Sequence, residues 1–215
     1  MGSIHGTYMK VGLEQQEILR KGQNYLVGTD IYFNIIDIQV PSGAQKDSLW
    51  EKNKKNDKYE EFFSYIAKEY ISQTKIYGID KAQFQGYLKH HNNSTILDSE
   101  VSVPYPYSML KLEIITSGGQ FSYYLFIVRN EEEADQHMQF TLGRAETCDI
   151  IISQNTISRE QCRILYEKKT ELVGDEKKHS YNWIIKDGTA FKESSNGTWL
   201  CLTDYRLRIF KQPSQ

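Results

Sequence analysis

Four short fragments in the second half of the sequence combine residue types that bind phosphate. In chain order they are Leu142-Gly143-Arg144, Cys148-Asp149-Ile150, Ile157-Ser158-Arg159 and Ser194-Ser195-Asn196-Gly197-Thr198-Trp199. An arginine guanidinium is a bidentate partner for phosphate, and serine hydroxyls add short hydrogen-bond donors. An asparagine amide both donates and accepts, which suits contact with a peptide main chain. These fragments predict a site for a phosphorylated ligand if the fold brings them together.

The surrounding sequence predicts short strands that would carry the fragments on loops. Residues 110–115 and 121–128 are typical of a hairpin across Ser117-Gly118-Gly119. Further short apolar segments follow at residues 140–142, 149–152, 161–166, 181–185 and 197–202. Many short strands with polar turns favour a sandwich of two sheets, and binding groups concentrate on the loops of such a scaffold.

The middle of the chain has a different period. Apolar residues between Tyr59 and Ile71 recur every three to four positions, which predicts an amphipathic helix over about residues 58–74. A short second helix is predicted over residues 80–90, with Asp80 as its N-cap. We therefore expect residues 41–107 to form a helical spacer in a mainly β chain.

Composition and charge argue against several classes of function. The 215 residues include 26 Lys and Arg against 28 Asp and Glu, a net charge of −2. This balance gives no overall attraction to nucleic acid or to an anionic membrane, and no stretch approaches the length of about 18 apolar residues that spans a bilayer. Three cysteines without metal-type spacing favour a reducing, intracellular compartment. Residues with the pattern of a nucleophilic catalyst, a cofactor site or a metal site are not recognised, so we predict a binding protein rather than an enzyme.

Taken in order, the fragments resemble the forkhead-associated (FHA) domain family over about residues 108–202. The core of the resemblance is Gly143-Arg144, Ser158-Arg159, the segment from Trp183 to Asp187, and the run from Ser195 to Trp199. It implies a two-sheet β-sandwich that recognises phosphothreonine. Family members usually carry a histidine at the place of Gln161, where it bonds between loops. An amide supplies both a donor and an acceptor, so we expect Gln161 to keep this role.

The resemblance also implies a role for each residue of the fragments. Arg144 and Ser158 would hold the phosphate, with assistance from Ser195. Asn196 would clamp the peptide main chain, and Arg159 would lie beside the residues that follow the phosphothreonine. The remaining residues would shape the supporting turns: Gly143, Gly197 and Thr198.

The closing strands of the family are missing after Trp199, and their pattern is found instead near the N-terminus. The matching residues are Ile18, Leu19, Gly22, Tyr25, Val27, Gly28 and Phe33. Ahead of them, the segment from Ser3 to Tyr8 is similar to the Ser-Asn-Gly-Thr turn, with His5 in place of Asn. We therefore interpret residues 1–40 as partial FHA-like C-terminal strands, and residues 108–215 as an FHA domain truncated at its C-terminal strands.

Two explanations of this arrangement remain open. The favoured one is that the chain is a fragment of a tandem-FHA protein. The other is that residues 18–38 pair with the open edge of the 108–215 module, in cis or between chains, because an unpaired edge strand is a liability.

The expected function is phosphothreonine-dependent binding of a partner protein in intracellular signalling or complex assembly. The alternative is a degenerate FHA-like scaffold that binds its partner without phosphate. Neither interpretation involves a cofactor, a membrane or nucleic acid.

Overall fold

The computed structural model describes residues 7–13, 17–40, 57–71, 73–78, 107–130, 135–174 and 176–202. Within these ranges there are twelve strands and a helix, α1 (Asp57–Ile71). The strands are β1 (Tyr8–Lys10), β2 (Glu17–Ile18), β3 (Asn24–Val27), β4 (Ile31–Gln39), β5 (Lys75–Tyr77), β6 (Tyr107–Ile115), β7 (Phe121–Arg129), β8 (Gln136–Gly143), β9 (Ile150–Ile151), β10 (Cys162–Val173), β11 (Glu176–Asp187) and β12 (Thr198–Cys201).

The strands form two sheets that share one core, which confirms the predicted mainly β sandwich. One sheet has the order β1-β12-β3-β4-β6-β7-β5, and the other has the order β2-β11-β10-β8-β9. Alternate residues of each strand face inward, as the period of two requires. Phe126 of the first sheet and Phe140 and Trp183 of the second meet in the core, with 4.7 Å between the ring centroids of Phe126 and Phe140. The hairpin predicted across Ser117-Gly118-Gly119 is confirmed by the antiparallel pairing of β6 with β7.

The N-terminal segment belongs to this sandwich. Strand β3 pairs with β12 on one side and with β4 on the other, and β4 pairs in turn with β6. Tyr25, Val27 and Phe33 are almost completely buried in the shared core. The closing strands therefore precede the rest of the sandwich in the chain, an order circularly permuted relative to the one that the family resemblance implies.

The pairing expected by the second explanation is present in cis. Residues 24–27 and 31–39 fill the edge that residues 107–202 leave open, and they do so within one chain. The boundary predicted after residue 40 thus does not separate β3 and β4 from the strands of residues 107–202. The turn proposed around His5 lies largely outside the described residues.

Helix α1 covers the other face of the seven-stranded sheet. Phe62 and Ile66 pack against Met109, Leu125 and Ile127 in a second apolar cluster. Because Met109 and its neighbour Leu110 point to opposite faces of β6, this cluster is separate from the main core. The helix matches the prediction for residues 58–74 in position, although it begins and ends slightly earlier. The helix predicted over residues 80–90 and the linker that follows it lie outside the described residues.

The helical part of the described chain contains no segment long and apolar enough to cross a bilayer.

Removing the Phe33 side chain should destabilise the whole sandwich. Phe33 is 1% exposed in the shared core, so Phe33→Ala should lower the free energy of unfolding by about 3–5 kcal/mol. Urea unfolding followed by tryptophan fluorescence measures this loss. The matched control is Phe121→Ala, which removes the same side chain where it is 56% exposed and should change the free energy by no more than about 0.5 kcal/mol. If Phe33→Ala left the urea unfolding transition unchanged, β4 would not belong to the part of the sandwich that unfolds cooperatively.

Candidate functional site

The loops that follow β8, β9 and β11 meet at a single cleft. Its volume is about 390 Å³, and its lining residues are Arg144, Ser158, Arg159, Glu160, Thr189, Lys192, Glu193, Ser194 and Ser195. Four of the five predicted ligand-contacting residues are among them. The fifth, Asn196, directly follows Ser195 in the chain but is not part of the lining.

Backbone hydrogen bonds fix Arg144 and the two serines relative to one another. The Arg144 N–H donates to the carbonyl of Ser158 at 3.1 Å, and the Ser195 N–H donates to Ser158 Oγ at 3.0 Å. Since the Ser158 hydroxyl accepts this bond, its own hydrogen is left for another acceptor. The Arg144 side chain is exposed and forms no ion pair within the described ranges. The cleft thus presents a cation beside an available hydroxyl donor.

Gly143 allows the Arg144 loop to approach the Ser158 loop closely. A Cβ atom at position 143 would lie 2.2 Å from the carbonyl oxygen of Arg159, a distance that no side chain tolerates. The same Arg159 carbonyl accepts a bond from the Ala145 N–H at 3.0 Å. The predicted role of Gly143 in shaping this turn therefore has a direct steric reason.

Gln161 links the β9–β10 and β11–β12 loops from a fully buried position. Its Oε1 accepts a bond from the Ser158 N–H at 3.0 Å. Its Nε2 donates to Ser194 Oγ at 2.6 Å and to the Gly197 carbonyl at 2.9 Å. All polar atoms of the amide are used, and it bonds between loops as expected for the residue at this place.

Asp187 and Ser194 support the site, and the sequence reasoning gave neither residue a role. The Asp187 carboxylate is fully buried. It accepts bonds from the Ser194 N–H at 2.9 Å, the Ser194 hydroxyl at 2.8 Å and the Thr198 hydroxyl at 2.7 Å. Ser194 Oγ in turn accepts a bond from the Gly197 N–H at 2.9 Å. The sequence did contain a signal for this contact. Asp187 lies shortly before a Ser-Ser-Asn-Gly-Thr run, and a turn of that composition presents several hydrogen-bond donors to a nearby carboxylate.

Asn196 and Gly197 form the turn that leads into β12. Asn196 Nδ2 donates to the main-chain carbonyl of Thr156 at 2.8 Å. The main-chain carbonyl of Asn196 accepts a bond from Trp199 Nε1 at 2.9 Å. Gly197 has a φ of 75°, a conformation that favours glycine. The second N–H and the Oδ1 of the exposed Asn196 side chain remain available to a ligand.

The turn between β3 and β4 is hydrogen-bonded to the loops that carry Thr156 and Gly197. The Gly28 N–H donates to the carbonyl of Gly197 at 3.0 Å, and Thr156 Oγ1 donates to Asp30 Oδ1 at 2.8 Å. Gly28 has a φ of 68°, and a Cβ there would lie 2.8 Å from Ile157 Cδ1. The N-terminal closing strands are therefore part of the foundation of the cleft.

Residues 188–193 form the opposite wall of the cleft. Arg163 is buried and holds this loop, because its Nε donates to the carbonyl of Gly188 at 2.9 Å and its Nη2 to that of Thr189 at 2.7 Å. The wall contributes Lys192 and Glu193 to the cleft. Sequence reasoning missed this loop because nothing local indicated that a buried arginine would anchor it.

The charges that line the cleft are mixed. Three cations, Arg144, Arg159 and Lys192, face two carboxylates, Glu160 and Glu193. The Glu193 carboxylate is bound by Lys10 at 2.6 Å. Because Lys10 neutralises Glu193, the cations that line the cleft outweigh the remaining carboxylate of Glu160, and the net charge of the cleft is positive.

The thiol nearest to the cleft is held in its neutral form. Cys148 Sγ donates to the carbonyl of Arg159 at 3.2 Å, and burial raises the pKa of this thiol above its usual value. Burial raises the pKa of Cys162 as well. Among the described residues, no cluster of His, Cys, Asp and Glu could hold a metal ion.

Gln161→Leu should weaken the loop framework. It leaves the Ser158 N–H and the Gly197 carbonyl without their side-chain partner, which should cost about 1–3 kcal/mol of folding free energy. Gln161→His should cost less because an imidazole supplies one donor and one acceptor. Chemical denaturation measures both losses, with Gln139→Leu at an exposed position of β8 as the control. Equal losses for Leu and His at position 161 would contradict the bridging role.

Comparison with known proteins agrees with this geometry. Residues 140–209 match the family model of the FHA domain. The match begins within β8 and includes β9 to β12. No curated protein and no solved structure matches the chain significantly. FHA domains are phosphopeptide-binding interaction modules and form a binding family, not a catalytic one.

Proposed function

We propose that the chain binds a phosphothreonine-containing segment of a partner protein through the cleft, as its match to the FHA family model suggests. The observation that supports this best is the convergence of Arg144, Ser158 and Ser195 from three separate loops. The bond between the Ser195 N–H and Ser158 Oγ sets the spacing of the two serine loops before any ligand arrives.

The chemistry of a phosphorylated threonine matches the groups in the cleft. At neutral pH its phosphate carries a charge of about −1.5 to −2 and three acceptor oxygens. The Arg144 guanidinium supplies two parallel donors, and the hydroxyls of Ser158 and Ser195 supply one each. Hydrogen bonds between charged groups are about twice as strong as neutral ones, so Arg144 would carry most of the affinity.

The peptide main chain would be held by Asn196. One hydrogen of its Nδ2 bonds to the Thr156 carbonyl and fixes the orientation of the side chain. Its Oδ1 then faces outward as an acceptor for a peptide N–H. Arg159 lies at the cleft beside Glu160 and would contact residues that follow the phosphothreonine.

The loop framework reduces the cost of binding. Gln161 and Asp187 already bond the loops to one another, so the side chains need little rearrangement when the ligand enters. Preorganisation of this kind increases affinity because fewer groups lose freedom on binding. Preference for threonine over serine would come from contact with the threonine methyl group, which is worth about 1 kcal/mol when buried.

Arg144→Ala should abolish phosphopeptide binding without unfolding the protein. The side chain is exposed, so the fold loses little, while the phosphate loses its main cation. Calorimetry with a library of phosphothreonine peptides measures the loss, and the thermal unfolding midpoint checks the fold. The control is Arg129→Ala, which also removes an exposed arginine. Arg129 is the last residue of β7 and lies near the start of β8, whereas Arg144 directly follows the end of β8. Unchanged affinity in Arg144→Ala would refute the site.

Binding should also depend on the phosphate itself and on its charge. The matching unphosphorylated peptide should not bind, and affinity should decrease as pH falls from 7.5 to 5, because the second phosphate pKa is about 6. Raising the salt concentration should weaken binding. Equal affinity for both peptides at all salt concentrations would instead favour a scaffold that recognises its partner without phosphate.

A further inference from the structure

One ion pair connects the N-terminal strand to the wall of the cleft. Lys10, the last residue of β1, places its Nζ 2.6 Å from Glu193 Oε2. Lys10 is opposite Trp199 of β12, and the next residue, Val11, donates its N–H to the Thr198 carbonyl at 2.8 Å. These backbone contacts hold Lys10 at a fixed place beside the cleft.

The ion pair between Lys10 and Glu193 contributes little to the free energy of folding. The side chains of Lys10 and Glu193 are 41% and 44% exposed, and exposed pairs of this kind contribute little to folding. The bond to Glu193 raises the pKa of Lys10 above its usual value, so the ammonium stays charged throughout the neutral range. What the pair does change is the position and the effective charge of a carboxylate in the cleft.

Glu193 is badly placed for a protein that binds an anion. It lines the cleft and directly precedes Ser194 and Ser195. Without a partner, its carboxylate would repel the phosphate and would compete with it for Arg144 or Lys192. At a separation of about 8 Å in water, one unpaired charge weakens the binding of a dianion by a factor of about five.

We propose that Lys10 is a positioning residue for phosphate binding: it holds Glu193 against β1 and neutralises it, so that the cleft accepts a phosphorylated ligand. The inference rests on the proposed function. It assigns to the N-terminal strand a direct influence on the charge of a cleft formed by residues more than 130 positions away.

A double-mutant cycle tests this inference with a phosphothreonine peptide. Lys10→Met keeps much of the side-chain length and removes the charge, and it should weaken binding about three- to tenfold. Glu193→Gln alone should bind at least as well as the wild type. The double variant should recover wild-type affinity, because the carboxylate that Lys10 controls is gone. Lys10→Arg should keep wild-type affinity, and the loss in Lys10→Met should shrink as salt is raised.

The matched control is Lys21→Met, which breaks an exposed pair with Asp37 outside the cleft lining and should not affect binding. Unchanged affinity in Lys10→Met would overturn the inference while leaving the proposed function intact. A double variant as weak as Lys10→Met would also overturn it, since it would show that the loss comes from the docking of β1. A wild-type protein that binds no phosphothreonine peptide would overturn the proposed function together with the inference.

Discussion

The pairing of β3 with β12 is the interaction on which the rest of the structure depends. Strand β12 begins at Thr198, directly after the Asn196-Gly197 turn, so whatever fixes β12 also fixes one wall of the cleft. Four residue pairs join β12 to β3, and the turn after β3 bonds to Gly197 through Gly28. A strand end in the interior of a sheet is held on both sides, whereas an edge strand leaves its hydrogen-bonding groups unpaired. The permuted chain order therefore still produces a rigid site.

A small buried polar network then transmits this rigidity to the loops. Gln161 and Asp187 are fully buried, and each bonds to groups of the loops that border the cleft. A buried polar group that loses its partner costs more than the bond itself contributes to stability. The loops are therefore confined to the arrangement that satisfies both side chains. Among the residues that the structure describes, none accepts a hydrogen bond from the side chains of Arg144, Ser158 and Ser195 in that arrangement.

The local parts of this structure were predictable, and the non-local parts were not. Alternating apolar residues predicted the strands, the period of α1 predicted its position, and the fragments around Arg144 and Ser158 predicted residues that meet at one cleft. The order of strands in the sheet was not determined by any local pattern. For that reason the fragment of a tandem protein was favoured over cis pairing of β3 and β4. The contact of Lys10 with Glu193 depends on that order and could not be predicted from two residues 183 positions apart in the sequence.

Strand β1 connects the closure of the fold to the charge of the cleft. Strand β1 is an edge strand of three residues, and it contributes Lys10 to the wall of the cleft. A ligand that prefers the cleft with β1 docked must stabilise the docked state by the same free energy that docking adds to its affinity. Backbone pairing holds β1 against β12, with Tyr8 opposite Cys201, so a strand near the start of the described chain borders a cleft formed by residues 144–195.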